Sequence, residues 1–159
     1  MARSDQEKET AGAGAASETP DRRAQDSLTR GAPRFYAVLC VDDDPMVALG
    51  TCAMLQELGH RVTTLFSAEH ALQVIRSDAP IDLVITDHAM PGMSGTELAR
   101  HARELRPGLP IILATGYRDV SCRAVPGMVR LDKPFRLEKL AAVIAAVVGQ
   151  TRRDRIPVA

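Results

Sequence analysis

The segment Ile81-Asp-Leu-Val-Ile-Thr-Asp-His-Ala-Met-Pro-Gly-Met-Ser-Gly95 decides the fold. Residues 81–86 form a short aliphatic and β-branched run, broken only by Asp82, as expected of a strand buried on both faces of a parallel sheet. The run stops at an acid, Asp87, and Pro91-Gly92 then marks a turn. Ser94 can cap a helix reaching about residue 105, with Glu97 three places on as its capping-box partner. The unit is therefore strand, acidic strand end, turn and helix.

The same unit recurs on both sides. Tyr36-Ala-Val-Leu-Cys-Val41 is a strand-length run that ends in Asp42, Asp43, Asp44 and Pro45. A helix follows, with an expected apolar face of Met46, Leu49, Ala53, Met54 and Leu58, and Gly59 stops it. Residues 61–66 read as the second strand, after which Ser67 caps a helix carrying Ala71, Leu72, Val74 and Ile75. The fourth strand is placed at 110–114, before Thr115, and the fifth at 128–131, before Asp132-Lys133-Pro134. Between them, residues 116–127 leave room for little more than a helical turn or two, so the fourth helix should be short or irregular. The last helix is expected over 136–148, with Leu137, Leu140, Val143, Ile144 and Val147 inward. Alternating strands and helices imply right-handed crossovers and an α/β fold: a doubly wound, five-stranded parallel sheet of flavodoxin-like order 2-1-3-4-5, helices on both faces.

At 159 residues the chain has room for one domain with a sizeable core. Residues 1–34 are Ala, Gly, Ser, Glu, Asp and Arg with almost no large apolar side chain, and are expected to be a disordered leader. The folded domain is placed at 35–149 and a flexible tail at 150–159. Twenty basic and twenty acidic residues cancel, which gives no overall attraction to nucleic acid or an anionic membrane. Arg152, Arg153 and Arg155 in the tail, without aromatic neighbours, read as a solvated end rather than a nucleic-acid patch. Cys40, Cys52 and Cys122 are odd in number and not at metal-ligand spacing, as expected of thiols in a reducing compartment. His60, His70, His88 and His101 lie on separate elements. With no signal peptide and no transmembrane-length apolar run, a cytoplasmic location is expected.

In a doubly wound sheet the crevice beyond the carboxyl ends of the strands holds the chemistry. The first strand delivers Asp42, Asp43 and Asp44 there, the third Asp87, the fourth Thr115, and the fifth Asp132 and Lys133. Clustered carboxylates are costly without a cation. Mg²⁺ suits them, since it takes a few carboxylates and keeps waters for a phosphate ligand. Asp87 then becomes a nucleophile toward phosphorus, with Lys133 and Thr115 contacting the phosphoryl oxygens. Each residue also has a plain alternative, as a turn, a solvated charge or strand filler. It is their arrival at one sheet edge that favours the site.

The blocks Val41-Asp-Asp-Asp-Pro45, Asp82 through Gly95, Ile111-Ile-Leu-Ala-Thr115 and Asp132-Lys-Pro-Phe135 resemble, in order, the signatures of bacterial two-component response-regulator receiver domains. The resemblance covers about residues 36–148. It implies Asp42 and Asp43 as the acidic pocket, Asp87 as phosphoacceptor, and Ala89 as donor of a backbone carbonyl to the metal. Thr115 and Lys133 become the phosphate-sensing pair, and Pro91 and Gly95 shape the loop after Asp87. It further implies a sensor histidine kinase or histidine phosphotransfer protein as phosphoryl donor. With no output domain expected, signalling would pass through contacts with a protein target, with no nucleic acid or membrane partner. Two positions differ from the usual pattern: Arg130 stands where an aromatic switch residue is common, and Thr115-Gly-Tyr117 resembles receivers with a reduced fourth helix.

Two other readings compete. A phosphohydrolase of the haloacid-dehalogenase type would use the Asp-x-Asp of Asp42 and Asp44, with the phosphoryl group on Asp42, but it needs a later acidic pair for Mg²⁺, where only Glu138 and Asp154 follow Lys133, and it leaves Asp87 without a role. A docking module with no phosphorylation would not need Asp42, Asp43, Asp87, Thr115 and Lys133 together.

Overall fold

The computed structural model describes residues 35–116 and 127–153. Along them run β1 (Ala37–Val41), α1 (Pro45–Glu57), β2 (Arg61–Leu65), α2 (Ala68–Arg76), β3 (Leu83–Asp87), α3 (Gly95–Leu105), β4 (Ile111–Thr115), β5 (Met128–Asp132) and α4 (Leu137–Arg153). All strand pairs are parallel, in the order β2-β1-β3-β4-β5. The α/β class and the strand order are those expected. The disordered leader expected at 1–34, the short fourth helix expected between β4 and β5, over 117–126, and the end of the tail at 154–159 lie outside the described residues.

Side chains alternate across the strands and so feed two cores. Leu39, Val41, Val84 and Ile111 pack with Ala71, Leu72 and Ile75 of α2 and Leu98, Ala99 and Ala102 of α3. On the other face Val38, Cys40, Leu83, Ile85, Ile112 and Leu131 pack with Leu55 of α1 and with Leu140, Ile144 and Val147 of α4. β3 and β4 are buried along their whole length, as their aliphatic runs require. Ser67 caps α2, and Ser94 with Glu97 forms the capping box of α3.

Several boundaries and one face differ from expectation. β3, β4 and β5 each run one residue farther, so Asp87, Thr115 and Asp132 are the last residues of their strands. β3 starts at Leu83, and just before it Asp82 is tied to Ala37 twice, its N–H donating to the Ala37 carbonyl and its carboxylate accepting from the Ala37 N–H, each at 2.8 Å. α4 continues past Val148 to Arg153, into the expected tail, since Gly149 is tolerated inside a helix already anchored by packing. In α1, Met46 is 79% and Leu49 55% exposed, and Ala53 is exposed as well; Ala48, Thr51 and Leu55 face the sheet, with Met54 and Leu58 beside them. A helix this uniformly apolar carries little periodicity, so the close approach of small side chains to the sheet chooses the face.

Candidate functional site

The parallel register brings four strand ends to one edge: Val41 lies beside Thr86, Asp87 beside Ala114, and Thr115 beside Asp132. Asp42, one residue past β1, is 6% exposed, and Asp87 is 9% exposed. The ammonium of Lys133, one residue past β5, lies between them, with Nζ 2.7 Å from Asp42 Oδ2 and 2.5 Å from Asp87 Oδ1. The other oxygens are held by backbone: Asp42 Oδ1 accepts from Asp44 N–H at 3.0 Å, and Asp87 Oδ2 from Ala89 N–H at 2.8 Å.

Burial pushes the Asp42 carboxyl above its ordinary range, and the hydrogen bond from Lys133 only partly opposes this. Burial alone would lower Lys133, but the hydrogen bonds and charges of Asp42 and Asp87 together hold its ammonium above the ordinary lysine range. The two outcomes differ because the lysine has two anionic partners, whereas Asp42 shares its one cation with Asp87.

Asp42, Asp87 and Lys133 are thus brought together as expected. Asp43 is exposed on the adjoining turn. Asp44 caps α1, its Oδ1 accepting from Met46 N–H at 2.9 Å and Val47 N–H at 3.4 Å. Thr115 is fully buried at the end of β4, but its hydroxyl donates to Asp132 Oδ1 at 3.2 Å. Tyr117 lies outside the described residues. Gly95 starts α3 against the end of β3, where an added Cβ would stand 2.0 Å from the Asp87 carbonyl oxygen. Only glycine permits that approach.

Two supporting residues carry no sequence signal of this role. Glu69, in the first turn of α2, accepts from Met93 N–H at 3.1 Å and so braces the loop after Asp87. Arg130 Nε donates to Asp132 Oδ1 at 2.7 Å. The Glu69–Met93 contact joins parts that only the folded chain brings together, whereas Arg130 and Asp132 stand two residues apart on β5.

Among the described residues, no three His, Cys, Asp or Glu side chains form a ready metal cluster. Mg²⁺ needs only one or two carboxylates besides waters and other oxygens. Two carboxylates already within reach of one shared cation, Lys133, are a hard-oxygen donor set of that kind.

The sequence profile of the response regulator receiver domain family matches residues 38–145. The chain belongs to that family. A response regulator receiver protein from Sinorhizobium medicae WSM419 superposes with a TM-score of 0.69 at 28% identity, over 74% of this chain and 98% of that one. The response regulator MprA of Mycolicibacterium vanbaalenii is 36% identical over 74% of this chain and 52% of its own length. The sensor kinase CckA of Brucella abortus is 33% identical over 67% of this chain and 12% of its own length. The chain thus spans about half or less of these two curated relatives. As a receiver domain it is a module of two-component signalling, and among its described residues no helix is long and apolar enough to cross a membrane.

Proposed function

We propose that this receiver takes a phosphoryl group from the phosphohistidine of a sensor histidine kinase or a histidine phosphotransfer protein onto Asp87, in the cytoplasm, and signals through contacts with a protein target. The observation that carries the reading is the Lys133 ammonium bridging Asp42 and Asp87 at 2.7 and 2.5 Å. An Asp87 oxygen attacks phosphorus as the phosphorus–nitrogen bond breaks, and the electron pair leaves with the imidazole, which is protonated. Lys133 offsets the charge of the incoming group. Asp42, Asp43, Asp87 and the Ala89 carbonyl are the groups that would hold Mg²⁺, which when bound supplies further neutralisation of phosphoryl charge.

The phosphohydrolase alternative needs Asp42 and Asp44 as a working pair, but the Asp44 carboxylate is occupied in capping α1. Phosphoramidate with Mg²⁺ should label Asp87, located by mass spectrometry of the borohydride-reduced protein, and Asp87→Asn should lose the label. Undiminished labelling of the Asn variant, or label on Asp42, would sink the assignment.

A further inference from the structure

Thr115 and Asp132 are directly paired at the ends of β4 and β5, so their side chains share a face of the sheet. The Thr115 hydroxyl donates to Asp132 Oδ1 at 3.2 Å, and Arg130, two residues earlier on the same face, donates its Nε–H to that same oxygen at 2.7 Å. The hydrogen bonds from Arg130 and then Thr115 hold the Asp132 carboxyl below its ordinary range, so it is a charged acceptor at neutral pH. The next residue, Lys133, reaches the opposite way, to Asp42 and Asp87.

A hydroxyl has one proton to donate. We propose that Asp132, aimed by Arg130, competes with a phosphoryl group on Asp87 for the Thr115 hydroxyl and thereby restrains activation. This rests on the reading of Asp87 as acceptor. Asp132 is exposed and solvated, so it does not need the Thr115 bond for its own satisfaction. The two neighbouring residues at the β5 end then act oppositely: Lys133 attracts the incoming group, while Asp132 withholds the hydroxyl that would bind it. Asp132 is a positioning residue, acting through Thr115.

The test is a double-mutant cycle on the full chain, read as affinity for beryllofluoride with Mg²⁺ by fluorine NMR. Asp132→Ala should bind the probe roughly three- to tenfold tighter than wild type, the range of one hydrogen bond. Thr115→Val keeps the branched shape and removes the hydroxyl, and in that background Asp132→Ala should gain clearly less. An equal gain in both backgrounds would mean simple charge repulsion and overturn the competition. If Thr115→Val binds too weakly to titrate, the free proteins decide: Thr115 should hold one side-chain rotamer in wild type and average between rotamers in Asp132→Ala, and an unchanged rotamer would overturn it. Wild type that binds no probe would overturn the acceptor reading itself, a result distinct from binding without coupling.

Discussion

Asp42 occupies a position that disfavours its own charge. Because burial raises its pKa in the folded state, the native protein holds this proton more tightly than the unfolded chain does. Its contribution to stability is therefore full at low pH and is lost as pH rises through the raised pKa. Lys133, also raised, contributes across the neutral range and loses that contribution only in strong alkali. Asp42→Asn removes the first effect and leaves Lys133 its contact with Asp87. In metal-free buffer the Asn variant should melt a few degrees above wild type near neutral pH, with the gap closing on acidification toward about pH 4. Thermal melts across pH check this, and a variant less stable than wild type at neutral pH would contradict it.

At the scale of elements, the junction of β3 and α3 has no spare room. A Cβ on Gly95 would lie 2.0 Å from the Asp87 carbonyl oxygen and 2.9 Å from a Leu113 methyl carbon, so the helix start or the strand end must move. Gly95→Ala should cost about 2 kcal/mol in urea unfolding, overpacking outweighing the better helix propensity. Gly50, in the middle of α1, has nothing within 4 Å of its Cβ position, and Gly50→Ala should instead stabilise by about 0.5–1 kcal/mol. Equal effects at the two sites would show that the close approach does not matter. Elements were legible in the sequence where composition forced them: the aliphatic runs of β3 and β4, and the caps at Ser67 and Ser94. The inward face of α1 was not, because apolar residues occur all round it. The strand-end acids and lysine were legible as a converging set. The Thr115–Asp132 and Glu69–Met93 contacts were not, since register and helix placement create them.

For the whole molecule, the two cores are built from apolar side chains and contain none of the site carboxylates, so the fold can carry an unfavourable carboxylate at its edge without losing its packing. A cation that binds the native edge and not the unfolded chain then stabilises the entire domain by mass action. At free Mg²⁺ tenfold above its dissociation constant the gain is about 1.4 kcal/mol. For a domain of this size that should raise the melting temperature by about 5 °C. If Asp43 is a ligand, its exposed carboxylate costs little to replace in the metal-free protein, so Asp43→Ala should melt close to wild type without Mg²⁺ and show a smaller rise with it. Melting curves over a Mg²⁺ series separate the two effects, and an equal rise in wild type and Asp43→Ala would place the ion away from this turn.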